Sequence, residues 1–282
     1  AILNFKKRYL GSIIFIYVFF LSIMAFLFEP NKGADLYRII PVMNMYANYE
    51  FSELLDEMAL SSTPVVLLYY YIIGQFHVDG LLPAITACIF YGIAFYILKD
   101  ISVRCSASSH DTATALMFFM CTGVFIEVIS GIRTMLGFSI IALCCYRELI
   151  EDKSIVRNLP FYVIASLIHP AAMTLSFLRF SFLPFQKTGK ISSTIFLFIF
   201  VFLMFGIMIF FGEQYFVAAT DKASEYINSE GGYEYFWEYV IGTINLMIIF
   251  IIELLAGKHL IKEFKSEGLN NYKRFSLFIS VL

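Results

Sequence analysis

Long apolar runs separated by short polar segments make up most of the chain. The clearest runs cover residues 9–28, 81–98, 112–128, 134–146, 191–211 and 239–255. Most of them approach the roughly 20 residues that an α-helix needs to cross a bilayer. The pattern therefore predicts an all-α fold, a polytopic membrane protein with several membrane-crossing helices.

Two further apolar runs do not fit single crossings. Residues 64–76 would form only about 20 Å of helix, which is short of the ~30 Å hydrocarbon core. Residues 159–185 are too many for one crossing and too few for two, and Pro160, Pro170 and Pro184 interrupt them. We expect re-entrant or broken helices at both places.

His169 lies in the second of these runs, and Pro170 follows it directly. Proline disfavours helical geometry in the preceding residue and removes a helix hydrogen bond, so we expect the helix to break at this histidine. Broken backbone at membrane depth is tolerated only where it is buried in protein or lines a cavity. An ionisable side chain there is a functional candidate. The alternative is a histidine that only hydrogen-bonds a neighbouring helix.

The composition excludes a soluble globular protein. Hydrophobic residues make up 60% of the chain, charged residues 15%, and the mean hydropathy is +0.77. The five cysteines show no metal-ligand spacing and no nucleotide-binding loop is present, so we expect neither a cofactor nor a disulfide. No basic patch indicates binding to nucleic acid.

Positive charge predicts the orientation, because cytoplasmic loops carry the excess of Lys and Arg. If the two ambiguous runs are re-entrant, only Lys32, Arg38, Arg133 and Lys222 lie outside. Single crossings would also place Lys99 and other basic residues there. We therefore expect one transmembrane domain over residues 1–282, with a cytoplasmic N-terminus and outer segments at 29–63 and 212–238.

The outer segments carry further expectations. In the first segment, GADLYR should form a loop above the first span, followed by an acidic amphipathic helix near residues 43–60. This loop offers Asp35, Tyr37 and Arg38, which either contact substrate or are simply solvated. In the second, the aromatic run around Trp237 is either an interfacial belt or a platform that stacks on sugars. The chain stops inside a short apolar run, so we expect it to continue further.

Arg133 is the candidate anion-binding residue. It lies in the tight turn GIRTM, and the run after it is short, so we expect the side chain to be sunk below the membrane surface. A guanidinium in that place binds phosphate oxygens through its bidentate fork. The alternative is an ion pair with Glu127 in the same hairpin, and both arrangements could hold at different steps.

Three segments together resemble the EpsG family of polysaccharide polymerases, relatives of the Wzy O-antigen polymerases. These segments are GADLYR, SGIRTMLGFSIIALCCY and ASLIHPAAM. The resemblance covers roughly residues 25 to 185. It departs from the family at Pro170, where Ser or Lys is commoner, and at Thr134, where Gln is commoner.

The resemblance implies a GT-C-like glycosyltransferase architecture in the bacterial cytoplasmic membrane, with the active site facing outside. The substrates would be glycans linked to undecaprenyl pyrophosphate, with a chain-length regulator protein as a candidate partner. His169 would act as the general base, and Arg133 would bind the departing pyrophosphate. Asp35, Tyr37, Arg38, Glu127 and Trp237 would contribute to substrate binding.

Other functions share part of this pattern. An O-antigen ligase would use similar Arg and His groups but a different acceptor. A flippase or transporter of lipid-linked oligosaccharides would need charges through the whole membrane depth, whereas the charges here lie mainly at the two faces. An acyltransferase is disfavoured because the chain has no HxxxxD arrangement.

Overall fold

A computed structural model of the chain describes residues 10–32, 34–104, 107–122 and 125–188, without the side chains of 121, 122, 178 and 181–188. Every regular element in this part is an α-helix, which confirms the predicted all-α class there. The helices are α1 (Leu10–Phe26), α2 (Asp35–Ala47), α3 (Phe51–Leu60), α4 (Pro64–Gly74), α5 (Leu81–Arg104), α6 (Ser109–Thr122), α7 (Phe125–Ser130), α8 (Ile132–Leu149), α9 (Ile155–Ile168) and α10 (Pro170–Thr188). The chain divides into two compact units, Ala1–Phe177 and Leu178–Leu282. The single-domain expectation stays a prediction.

α1 and α5 pack as an antiparallel pair. At one end, a Cβ on Gly80 would lie 2.3 Å from the Phe26 carbonyl oxygen, so only glycine allows this close approach. At the other end, Gly11 lies beside the Lys99 ammonium group, which a Cβ on Gly11 would meet at 3.2 Å. Since the start of each helix meets the end of the other, the two helices run in opposite directions.

α5, α8 and α9 form the centre of the first unit. The C-terminal ends of α5 and α8 meet where the Tyr146 hydroxyl donates to Asp100, so these two helices run parallel. α9 runs back along α8. Asn158 Nδ2 donates to Glu148 Oε1 at 3.1 Å near one end, and His169 lies beside Thr134 at the other.

The helix break predicted at His169 is confirmed. His169 has extended backbone angles, φ −151° and ψ 134°, between the end of α9 and the start of α10. Ser166 Oγ donates to Ser176 Oγ at 3.1 Å, although ten residues of continuous helix would span about 15 Å. The chain therefore turns back on itself at His169 and forms a helical hairpin.

The segment before α4 differs from the expectation in two ways. Asp35, Tyr37 and Arg38 do not lie in a loop, because α2 already begins at Asp35. The single helix expected near residues 43–60 is wrong, because α2 ends at Ala47 and α3 begins at Phe51. Glu53 explains the new start, since its side chain accepts the backbone N–H of Glu50 at 2.9 Å and so caps α3.

By length and composition, one helix among the described residues could cross a membrane, namely Leu81–Arg104. Leu10–Phe26, Pro64–Gly74 and Ile155–Ile168 are apolar but shorter. Large hydrophobic side chains are nevertheless exposed along α1 and α9, for example Phe15 and Val163. Exposed apolar surface of this kind is typical of contact with lipid or another protein. That the chain crosses the membrane several times, and in a GT-C-like arrangement, stays a prediction.

Candidate active site

Arg133 lies in the first turn of α8, which begins where the chain leaves α7 through Gly131. Ile132, the residue before it, is fully buried and anchors this turn in the core. The sequence predicted that Arg133 is sunk below the membrane surface, because the apolar run that follows it, residues 134–146, is short. α8 has 18 residues, which is longer than that apolar run, and it includes Arg133 itself. The depth of Arg133 below the membrane surface stays a prediction. Arg133 is half-buried at this turn.

The charge of Arg133 has no protein counter-ion in the part of the chain that the structure describes. Glu127 is exposed on α7 and lies beyond ion-pair distance, so the Glu127–Arg133 pair is not formed here. No side chain caps the N-terminus of α8 either. A helix N-terminus attracts anions through its unpaired N–H groups and its dipole, and the guanidinium adds a full positive charge. The start of α8 is therefore suited to a phosphate group.

His169 contacts both neighbouring helices, α10 and α8. Its Nδ1 accepts the backbone N–H of Ala171 at 3.1 Å, so the imidazole caps α10. Pro170 takes the first helical position, where its missing N–H costs nothing. The Nε2 atom of His169 lies 3.4 Å from Thr134 Oγ1. The imidazole and Phe138 rings meet edge to face, with their centroids 6.3 Å apart. Thr134, the residue after Arg133, thus brings the two candidates to one place.

The cap bond has a consequence for proton transfer. While Nδ1 accepts from Ala171, the proton of a neutral imidazole resides on Nε2. To act as a base, Nε2 needs an unprotonated lone pair, so its proton must move to Nδ1 and the hydrogen bond from Ala171 must break. The alternative, a histidine with a purely structural role, is therefore supported by specific contacts, because His169 caps α10 and contacts Thr134 of α8.

The start of α2 lies next to the same place. The backbone N–H of Leu36 contacts Ser130 Oγ at 3.4 Å, three residues before Arg133. Asp35 and Arg38 form an exposed ion pair with each other. Tyr37 is 45% exposed on the same turn. The start of α2 thus lies near the start of α8, which carries Arg133. Arg38 already forms an ion pair with Asp35 there.

One core cluster positions all three segments. Leu36, Ile132 and Ile168 each neighbour a candidate residue in sequence, and all three are buried in this cluster. Tyr70 of α4 belongs to it too, and its hydroxyl interacts electrostatically with Arg133 and Asp35. Sequence reasoning missed Tyr70. It is the middle residue of a Tyr-Tyr-Tyr run, and nothing in that run distinguishes one tyrosine from the next.

Comparison with known families shows to which family this chain belongs. The model of the EpsG family matches residues 80–282, most of the chain. The chain belongs to the EpsG family. The family is associated with polysaccharide biosynthesis at membranes, in general with polysaccharide polymerases, and the apolar helices described above agree with that location. Neither the curated proteins nor the solved structures contain a match to this chain.

The EpsG match includes some of the candidate residues and leaves out others. Glu127, Arg133 and His169 lie inside it, whereas Asp35, Tyr37 and Arg38 precede residue 80. The C-terminal third, which the sequence resemblance left out, is included. Trp237 and the second outer segment fall within the match but outside the residues that the structure describes, so their roles stay predictions.

A cavity of about 320 Å³ opens beside the GADLYR segment, between the end of α1 and the start of α5. Leu36 and Ile40 line it on one side, and Glu29 and Asp79 contribute carboxylates. Arg133 and His169 are not among its lining residues. It is therefore a neighbour of the candidate site in this EpsG-family protein rather than the site itself.

Proposed function

We propose that this EpsG-family protein joins oligosaccharide repeat units that are linked to undecaprenyl pyrophosphate, on the outer face of the bacterial cytoplasmic membrane. A single observation carries the proposal. Arg133 lies without a protein counter-ion at the uncapped start of α8, and Thr134 connects it to His169. A cation at a helix N-terminus beside an imidazole suits the transfer of a group that departs from pyrophosphate.

Arg133 and His169 are the two protein groups that take part in the proposed reaction. A hydroxyl oxygen of the acceptor repeat unit attacks the anomeric carbon of the donor glycan, and a new glycosidic bond forms. The bond from that carbon to pyrophosphate breaks, and pyrophosphate keeps the electron pair. Arg133 binds the charge that develops on the leaving group. The hydroxyl proton passes to His169, which must release the Ala171 N–H to accept it.

Lipid-linked substrates also need access from the side of the bilayer. The helical hairpin at His169 supports such access, because a helix that breaks at His169 turns back within the protein instead of crossing the bilayer. In the proposed topology, α8 and α5 begin at the outer face and α9 rises to that face at His169. The site therefore lies where the glycan of a membrane-anchored donor can reach it.

The proposal is tested by assaying the purified protein in detergent with undecaprenyl-pyrophosphate-linked repeat units and reading product length on a gel. We expect the wild type to form polymer and Arg133→Ala to form almost none. Arg133→Lys should fail as well, because an ammonium group cannot make the bidentate contact. Arg157→Ala is the matched control, since Arg157 is exposed at the opposite end of α9.

Two results would reject the proposal in different ways. Transfer of the glycan to an acceptor other than a second repeat unit would indicate a ligase. Full polymerisation by Arg133→Lys would remove the bidentate contact of Arg133 with pyrophosphate from the mechanism.

A further inference from the structure

The Tyr70 hydroxyl is a buried polar group without a hydrogen-bond partner among the residues that the structure describes. Tyr70 is 4% exposed, and its Oη makes no hydrogen bond there. The neighbouring Tyr69 is different, because its hydroxyl contacts Thr86 Oγ1 at 3.1 Å and the Leu82 carbonyl at 3.4 Å. Buried polar groups in native proteins nearly always have partners, so an exception of this kind needs an explanation.

The surroundings of Tyr70 supply one. The Tyr70 hydroxyl lies within electrostatic range of Arg133 and Asp35, which belong to the first turns of α8 and α2. Its side chain packs in the same cluster as Ile132 and Ile168, the residues before Arg133 and His169. Within the described residues, the unpartnered Tyr70 hydroxyl and the unpaired Arg133 thus belong to segments that share one core cluster, and they are within electrostatic range of each other.

We propose that Tyr70 is a substrate-binding residue whose hydroxyl donates a hydrogen bond to a pyrophosphate oxygen held by Arg133. The inference rests on the proposed function of Arg133. A site built to hydrogen-bond its ligand leaves its buried polar groups unpaired when the ligand is absent. A phenolic O–H that donates to an anionic oxygen makes one of the stronger kinds of hydrogen bond. The same chemistry would accept the phosphate of a lipid headgroup, so the test separates these two sources.

The test uses Tyr70→Phe, which removes only the hydroxyl. Binding of inorganic pyrophosphate to the full-length protein in detergent is measured by calorimetry, with Arg133→Ala as the reference for a lost site. We expect pyrophosphate to bind Tyr70→Phe about 10- to 100-fold more weakly than wild type, the range for a hydrogen bond to a charged group. In the polymerisation assay, KM for the lipid-linked repeat unit should rise by a similar factor.

Tyr69→Phe is the matched control on the next residue of α4. It deletes a hydroxyl that has protein partners, so it should lower the melting temperature and leave pyrophosphate affinity and KM unchanged. Tyr70→Phe should show the opposite pattern, with a melting temperature equal to or above that of wild type. A purely structural role of Tyr70 would not weaken pyrophosphate binding in a protein of unchanged stability.

Wild-type pyrophosphate affinity and KM in Tyr70→Phe would overturn the inference while polymerisation by the wild type upholds the proposed function. A wild type that forms no polymer would reject the proposed function and, with it, the lipid-linked glycan as the ligand of Tyr70. Phosphatidylglycerol is tested in place of pyrophosphate. Tighter binding of that lipid than of pyrophosphate, lost in Tyr70→Phe, would overturn the assignment to pyrophosphate.

Discussion

At the scale of single residues, His169 combines a structural and a chemical position. Its Nδ1 caps α10 through Ala171, and its Nε2 faces Thr134, next to Arg133. The cap alone would justify a hydrogen-bond acceptor at this position, because uncapped helix N–H groups are costly. Removal of the side chain therefore changes two properties at once, and a useful variant must keep the cap.

His169→Asn is that variant. Asparagine is among the best N-cap residues, and its side-chain oxygen can accept the Ala171 N–H in place of Nδ1. It cannot serve as a general base near neutral pH, so we expect polymerisation to fall by about 10²- to 10⁴-fold. Product length is measured at matched protein level. His169→Ala should lose the same activity and, in addition, about 1 kcal/mol of stability from the missing cap.

The pH dependence separates the two roles further. Acid protonates the imidazole, so a base is lost and wild-type activity should fall as the pH is lowered. Full activity of His169→Asn with a wild-type pH profile would return His169 to the purely structural alternative.

At the scale of elements, the packing of α8 against the helical hairpin sets the position of His169. Gly137 lies on α8 directly opposite the hairpin. A Cβ there would lie 3.0 Å from Ala172 Cβ and 3.5 Å from His169 Cβ. A methyl group at this position must push the hairpin away by a few tenths of an ångström. Interiors are close-packed and transmit such strain to their neighbours.

Gly137→Ala should therefore reduce polymerisation by about tenfold or more, since small misplacements of catalytic groups are costly. Its melting temperature should also drop. Gly92→Ala is the matched control in α5, because a Cβ on Gly92 meets nothing within 4 Å. That change should keep full activity and add about 0.5–1 kcal/mol of stability from helix propensity. Equal activity of the two variants would contradict the role of this contact.

The opposite ends of α8 and α9 are joined by a buried polar cluster. The Tyr162 hydroxyl donates to Glu148 Oε2 at 3.2 Å, and Asn158 Nδ2 donates to Glu148 Oε1 at 3.1 Å. Asn158 is fully buried and Glu148 is 8% exposed. The cluster lies far along α9 from His169, so it holds the two helices together without touching the candidate site.

Tyr162→Phe should lower stability by about 0.5–2 kcal/mol, because it removes a hydrogen bond from a buried carboxylate. KM for the lipid-linked repeat unit should not change. Thermal unfolding in detergent and the polymerisation assay test both halves of this prediction. A changed KM at unchanged stability would contradict the structural assignment.

At the scale of the whole molecule, the order of helix ends agrees with the proposed topology. The C-terminal ends of α5 and α8 meet, and α9 begins near the end of α8 and returns to its start. The topology requires the same order, with the first turns of α5 and α8 outside and their last turns in the cytoplasm. The positive charge of the last turns, which carry Arg104 and Arg147, agrees with the cytoplasmic side.

Thiol labelling tests this topology. In a variant without the five native cysteines, single cysteines are placed at Asp56 in α3 and at Lys153 before α9, both exposed. An impermeant thiol reagent added to intact cells should label the cysteine at 56 and not the one at 153. Permeabilised cells provide the control that both positions react. Labelling at 153 in intact cells would contradict the re-entrant arrangement.

The sequence by itself determined the features that depend on local chemistry. The apolar runs predicted an all-α protein, and Pro170 predicted the break at His169, because proline acts on its immediate neighbour. The same local reasoning placed α4 within residues 64–76, close to its observed limits of Pro64 and Gly74. It failed at Glu50 and Glu53, where a capping interaction divides one expected helix into α2 and α3.

Only the tertiary structure decided which distant groups meet. The contact of Thr134 with His169 spans 35 residues, and that of Leu36 with Ser130 spans 94. The absence of a Glu127–Arg133 pair and the lone hydroxyl of Tyr70, both observed within the described residues, also depend on packing between helices. Periodicity and composition carry no information on such contacts, because they follow from how several helices share one core.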